Sequence, residues 1–166
     1  MERLILLRHG EAERSAASGD DFDRALNAQG RAESAAMGRL LSVAGATPDM
    51  ALVSSAVRAV QTFEAARAAF PGAEEHLSRA LYLASPRELM AAIRVASPNA
   101  RTLMVVGHNP GIQQLAAILA SEGGASAAQL ARLERGFPTA AAAVFDIAEG
   151  GDPTLKALHL PKGERL

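Results

Sequence analysis

Three short apolar runs set the architecture of this chain: Leu4-Ile5-Leu6-Leu7, Met50-Ala51-Leu52-Val53 and the stretch from Thr102 to Val106. None of them alternates apolar with polar residues, so none reads as a strand with one wet face. A continuous run of this length is the pattern of a strand buried on both sides, which is the situation in a parallel sheet covered by helices. The segments between the runs supply those helices.

Asn27 is an N-cap for a helix over 28–44, whose Ala32, Ala35, Ala36, Leu40 and Val43 form an apolar stripe, and Gly45 and Pro48 end it. Ser54-Ser55 are candidate caps for a helix over 56–69 that buries Val57, Val60, Phe63 and Ala66 and stops before Pro71-Gly72. The region from His76 to Leu83 includes a short edge strand. Ser85, Pro86 and Glu88 occupy the N-cap, first and third positions of a helix running to Ala96. Asn109 caps and Pro110 opens a further helix to Ser121, with Ile112, Leu115, Ala116 and Leu119 apolar, and residues 126–135 suit a short amphipathic helix. Residues 140–147 and 154–160 read as two final strands, a hairpin around Glu149-Gly150-Gly151-Asp152. The expected fold class is α/β: a three-layer α/β/α sandwich, its central sheet mostly parallel and made mixed by the last pair. No repeat or linker divides the chain, and 1–166 is expected to be a single domain.

The polar residues that terminate the three runs carry the chemistry. The first run ends at Arg8-His9-Gly10-Glu11, the second leads to Ser54-Ser55 and Arg58, and the third ends at Gly107-His108-Asn109. Ligands of open α/β sheets bind at the carboxyl ends of the strands. If the runs are parallel, all three sets open onto one crevice, and the helices starting after Ser55 and Asn109 aim N–H groups at it. Two arginines, two histidines and two helix N-termini make a phosphate pocket. Taken singly, Arg58 is a solvated residue in a first helical turn and His108 a cap or loop residue; the convergence outweighs those readings.

Composition narrows the class. With one Tyr, five Phe and no Trp the chain lacks a base-stacking surface, and 17 basic against 18 acidic residues give it no broad polyanion field. Nucleic acid is therefore not an expected partner. The absence of cysteine excludes disulfides, thiolate catalysis and Cys-based zinc sites. The four-residue apolar stretch at the N-terminus runs straight into Arg8-His9, unlike a secretory signal, and no window is long enough to span a bilayer. The expectation is a soluble, cytoplasmic protein without a membrane partner.

These motifs resemble those of the histidine phosphatase superfamily, also called the phosphoglycerate mutase-like superfamily. Arg8-His9-Gly10-Glu11 is similar to its signature tetrad, Ser54 to Thr62 to its second-strand motif, and Val106 to Gly111 to the motif of its second histidine. Leu26-Asn27 with Gly30, and Phe137-Pro138-Thr139, resemble minor landmarks. The short length and the Gly-His-Asn-Pro form are similar to the SixA-like phosphohistidine phosphatase branch. The resemblance implies a phosphatase whose catalytic residues are Arg8, His9, Arg58 and His108, with Gly10, Glu11, Ser54 and Asn109 at the substrate. It implies no cofactor and no metal, and a phosphorylated partner such as a phosphohistidine-containing phosphotransfer domain.

Physical chemistry fits what the resemblance implies. Arg8 and Arg58 offer planar forks that neutralise equatorial phosphoryl oxygens better than lysine. His9 must be neutral to attack, so its second ring nitrogen is expected to donate to a carbonyl or carboxylate, while two guanidinium groups lower its proton affinity. His108 is expected to donate to a phosphoryl oxygen. One departure stands out. Many members of the superfamily carry a glutamate general acid, whereas the corresponding stretch His76 to Leu83 holds no carboxylate. An alkoxide leaving group needs such a donor; a phosphohistidine does not, because its own imidazole accepts the proton. Glu11, Glu13, Asp20, Asp21 and Glu88 are the carboxylates able to swing into that role, and the acidic patch Asp20-Asp21-Asp23 otherwise reads as a solvated loop. His76 and His159 fall outside the motifs and read as surface or structural residues. A mutase or phosphatase acting on small phosphoesters, and a non-catalytic phosphate-binding regulatory module, are the alternative readings.

Overall fold

A computed structural model describes residues 1–148 and 150–161. Among these residues six strands form one sheet: β1 (Arg3–Arg8), β2 (Met50–Ser54), β3 (Glu74–Ser78), β4 (Thr102–Gly107), β5 (Ala142–Ile147) and β6 (Pro153–His159), in the order β3-β2-β4-β1-β5-β6. The first four are mutually parallel, and β5 and β6 run antiparallel to complete a mixed sheet. The helices are α1 (Ala28–Val43), α2 (Val57–Arg67), α3 (Pro86–Ala96), α4 (Gly111–Glu122) and α5 (Ala127–Arg135). The β5–β6 hairpin forms as expected, although Glu149 of its connection lies outside the described residues.

The continuous apolar runs are explained by two cores. Leu4 and Leu6 of β1 join Leu103 and Val105 of β4 against α3, α4 and α5, through Leu89, Ile93, Leu115, Leu119 and Leu133. The intervening Ile5, Leu7, Met104 and Val106 face α1 and α2, through Met37, Leu41, Phe63 and Ala66. Side chains of alternate residues leave a strand on opposite faces, so a strand between two helical layers is apolar throughout. Among the described residues no helix is long and apolar enough to cross a membrane.

Three local expectations are corrected. The buried face of α1 is Gly30, Ser34, Met37, Gly38 and Leu41; Leu40 and Val43 point outward, with Val43 88% exposed. The helix lies too close to its neighbours for a face of larger side chains. A Cβ on Gly38 would stand 2.6 Å from the carbonyl oxygen of Ala66, and one on Gly30 would collide with that of Glu11. Asn109 does not cap α4, whose N-cap is Pro110 without a side-chain bond; the Asn109 amide instead donates to Phe137 O at 2.9 Å and Gln113 Oε1 at 3.2 Å. On α2 the N-cap is Ala56, again without a side-chain bond, and the fully buried positions are Arg58, Ala59, Thr62, Phe63 and Ala66 rather than Val57 and Val60. By contrast Asn27 caps α1 through Gly30 N, and Ser85 and Glu88 form a reciprocal capping box on α3.

Candidate active site

Parallel pairing sets the three strand ends side by side. Arg8 is in register with Gly107, and Val53 with Val106, so the residues that follow each strand meet at one edge of the sheet. Because β5 runs the other way, its entry loop arrives at the same edge and brings the Phe137 carbonyl to Arg8 Nη1 at 2.9 Å. Ala140 in that loop has φ 59 and donates its N–H to His9 O at 3.0 Å. A non-glycine residue in the left-handed region is strained, and such strain collects where a site is held in a fixed shape.

His9 and His108 lie with ring centroids 5.1 Å apart, and both are buried. Nδ1 of His9 donates to the Gly10 carbonyl at 2.7 Å, which leaves Nε2 as the unprotonated nitrogen; Nε2 accepts from Arg58 Nε at 3.2 Å. Burial is the main reason that the His9 pKa falls to about 4, with Arg58, Arg8 and Arg24 lowering it further against the opposing Gly10 hydrogen bond. The two arginines expected to lower it do so, but desolvation is the larger cause. His108 falls to about 3, first through burial and then through His9 and Arg58. Both imidazoles are neutral at physiological pH.

Arg58 is only 3% exposed, so it is a core residue of α2 rather than a solvated one. Thr62, one turn later on the same face, accepts from Gly10 N at 2.9 Å and donates to Arg58 O at 2.7 Å. Gly10 therefore has both backbone groups engaged. A Cβ there would stand 2.5 Å from Ser34 Oγ and 2.7 Å from Gly30 O, so the glycine admits α1 against the first strand end. Glu11 contributes its carbonyl to Asn27 N at 3.0 Å. Ser54 is wholly buried beside His108, with Oγ 2.8 Å from its Nε2, and so acts through that histidine instead of reaching the crevice. Arg8 Nε and His108 Nδ1 are buried polar atoms with no partner among the described residues.

The acidic loop is the largest surprise. Asp20 and Asp21 are exposed as expected, but the loop is tied down: an Ala12–Leu26 bridge closes its base, and Leu26 N donates to Gln61 Oε1 at 2.7 Å. Its Asp21–Asp23 turn lies on the site, where Asp21 Oδ2 accepts from Arg58 Nη2 at 2.9 Å and from Tyr82 OH at 2.7 Å. Asp21 Oδ1 accepts from Arg24 Nη1 at 2.7 Å. These donors, Tyr82 first, hold the Asp21 carboxyl below the usual carboxylate range, so it stays ionised. The Tyr82 ring meets His108 edge-on at 5.4 Å, and Phe22 meets Tyr82 in the same manner at 5.0 Å. Sequence reasoning missed Tyr82 and Thr62, and it offered Asp21 only as one of five carboxylates for a proton donor, not as a partner of Arg58. A polar Thr62 at helical spacing from Arg58 was a readable signal; nothing local marks the contacts of the other two. His76 pairs with Glu74 on the sheet's outer strand, and His159 ends β6.

Comparison with known proteins agrees with this geometry. The sequence profile described as Histidine phosphatase superfamily (branch 1) matches residues 4–81. An uncharacterized protein of Mycobacterium tuberculosis is 34% identical over 148 residues, covering 86% of this chain and 92% of that one. Among solved structures, SixA of Agrobacterium tumefaciens is 33% identical with a TM-score of 0.82, over 96% of this chain and 98% of that chain. SixA of Nakamurella is 25% identical with a TM-score of 0.85, over 98% and 97%.

Proposed function

The chain belongs to the histidine phosphatase superfamily, and on that footing we propose that it removes a phosphoryl group through a covalent phosphohistidine on His9, with protein phosphohistidine as the substrate. The observation that carries the reading is the state of His9. Its proton is fixed on Nδ1 by Gly10 O, and its free Nε2 lies beside the Arg58 guanidinium. A neutral, oriented imidazole next to a cation is a nucleophile aimed at a bound anion.

In the first step the Nε2 lone pair of His9 bonds to phosphorus and the bond to the leaving group breaks. Arg58 Nε–H, which faces Nε2 in the free protein, then has the transferred phosphoryl oxygens as acceptors. The buried Arg8 Nε and His108 Nδ1, without a partner among the described residues, supply two more donors. With the Ser54 hydroxyl, 2.8 Å from Nε2 of His108, taken as the donor of that bond, the ring proton lies on Nδ1. In the second step water attacks phosphorus, the N–P bond breaks, and His9 leaves as the neutral imidazole while phosphate carries away the proton balance.

The leaving group selects the substrate. Asp21 is the carboxylate at the site, and its three donors keep it ionised and unable to give up a proton. Glu88 is engaged in the α3 capping box. An imidazole leaving group brings its own protonation site and needs neither. The SixA neighbours carry the name phosphohistidine phosphatase, which agrees with that preference. The test is a side-by-side assay of phosphohistidine proteins and small phosphoesters, with His9→Ala as control. Preferential loss of phosphoryl from the histidine proteins, abolished in the variant, is the expected result. Faster turnover of an alkyl phosphoester would overturn the substrate assignment.

A further inference from the structure

Asp21 has no part in the chemistry just described, yet it is the most heavily bonded carboxylate near the site. It sits on a loop, far in sequence from the arginine it meets, and its side chain is 45% exposed. An exposed carboxylate held by an arginine from α2, another from its own loop and a tyrosine from the segment after β3 is more constrained than surface position requires.

The way it grips Arg58 matters. A guanidinium has one N–H on Nε and two on each Nη, in one plane. Asp21 takes Arg58 from the end, its backbone carbonyl accepting from Nη1 at 2.6 Å and its Oδ2 from Nη2 at 2.9 Å. The side edge, made of Nε–H and the second N–H of Nη2, is left turned to His9 Nε2. That edge is the fork which two phosphoryl oxygens fit. We infer that Asp21 is the positioning residue of Arg58: it fixes the end of the guanidinium so that the Nε–Nη2 edge faces the phosphoryl group on His9.

The loop is built to hold Asp21 in place. Asp20 caps the Asp21–Asp23 turn through Phe22 N, Phe22 is held between the Arg79 guanidinium at 4.4 Å and the Tyr82 ring, and Arg24 Nε is tied to Glu13 O at 2.7 Å. Tyr82 contacts both Asp21 and His108, so the carboxylate and the second histidine share one support. Had Asp21 stood in for the phosphoryl group, it would have occupied the side edge; it occupies the end.

The inference rests on Arg58 being a phosphate ligand, so its test reads equilibrium binding as well as turnover. Inorganic phosphate binding by calorimetry and p-nitrophenyl phosphate kinetics are measured for the wild type, Asp21→Asn, Asp21→Glu, Arg58→Ala and the Asp21→Asn/Arg58→Ala double variant. A misaligned charge-assisted fork predicts a loss of roughly tenfold or more in phosphate affinity and in kcat/KM for Asp21→Asn. Asp21→Glu is expected to recover part of it, and Asp21→Asn is expected to add less than about twofold in the Arg58→Ala background, since it acts through that arginine. Unchanged or tighter phosphate binding by Asp21→Asn overturns the inference, and so does an undiminished loss in the double variant. A wild type that neither binds phosphate nor turns over overturns the phosphatase reading itself, and with it the role of Asp21.

Discussion

Arg58 Nε and His9 Nε2 lie 3.2 Å apart at the centre of the site, and that pairing joins a helix residue to a strand-end residue 49 positions away. It sets the proposed nucleophile beside its charge partner before any substrate arrives. Preorganisation of this kind is the main source of stabilisation when little covalent work falls to the protein, as in phosphoryl transfer.

The arginine's shape is therefore as important as its charge. Arg58→Lys keeps the charge but loses the planar fork and both grips of Asp21. The expected loss in kcat/KM is about 10²–10³-fold, the range for removing one preorganised donor. Steady-state kinetics with a fixed phosphohistidine protein check this, and a lysine variant within about threefold of wild type would show that charge alone suffices.

Acid should act on stability before it acts on the nucleophile. The His9 and His108 pKa values fall from 6.5 to about 4 and about 3 on folding, so between 6.5 and those values the unfolded chain binds protons that the folded protein does not. Stability then rises with pH across that window; the contribution is complete above 6.5 and is lost as acid approaches the folded values. Denaturant unfolding at about pH 5 should give a lower free energy than at about pH 7.5, with a smaller difference in His108→Gln. Activity followed at pH values where the protein stays folded should show no acid limb near 6.5, because His9 remains neutral down to about 4.

The two faces of α1 separate packing from appearance. Leu41 is fully buried and Val43 is 88% exposed. Leu41→Ala is expected to cost about 2–5 kcal/mol and Val43→Ser less than about 0.5 kcal/mol. Chemical denaturation of both variants measures the contrast, and comparable losses would return Val43 to the core.

That helix also marks the limit of what the sequence displays. β1, β2 and β4 are legible because a strand covered on both faces has to be apolar at every position, and a parallel arrangement then fixes where Arg8, Arg58 and His108 converge. The inner face of α1 is illegible by hydrophobicity because contact at the backbone selects Gly30, Ser34 and Gly38 over larger apolar residues. Asn109 carries a strong capping signature, yet its amide is taken by Phe137 O, a contact across the sheet edge that no local pattern encodes. The pairing of Asp21 with Arg58 and the contact of Tyr82 with His108 are hidden for the same reason, since each residue looks like ordinary loop chemistry until the fold brings the partners together.

The most direct test is to catch the phosphoryl group on the protein. The enzyme is mixed with a phosphohistidine substrate, quenched in alkali, where phosphohistidine survives, and mapped by peptide mass spectrometry. One added phosphoryl group is expected, on His9 alone, rising and decaying within a single turnover and absent from His9→Ala. Normal turnover by that variant, or a phosphoryl group located on His108 instead, would contradict the account.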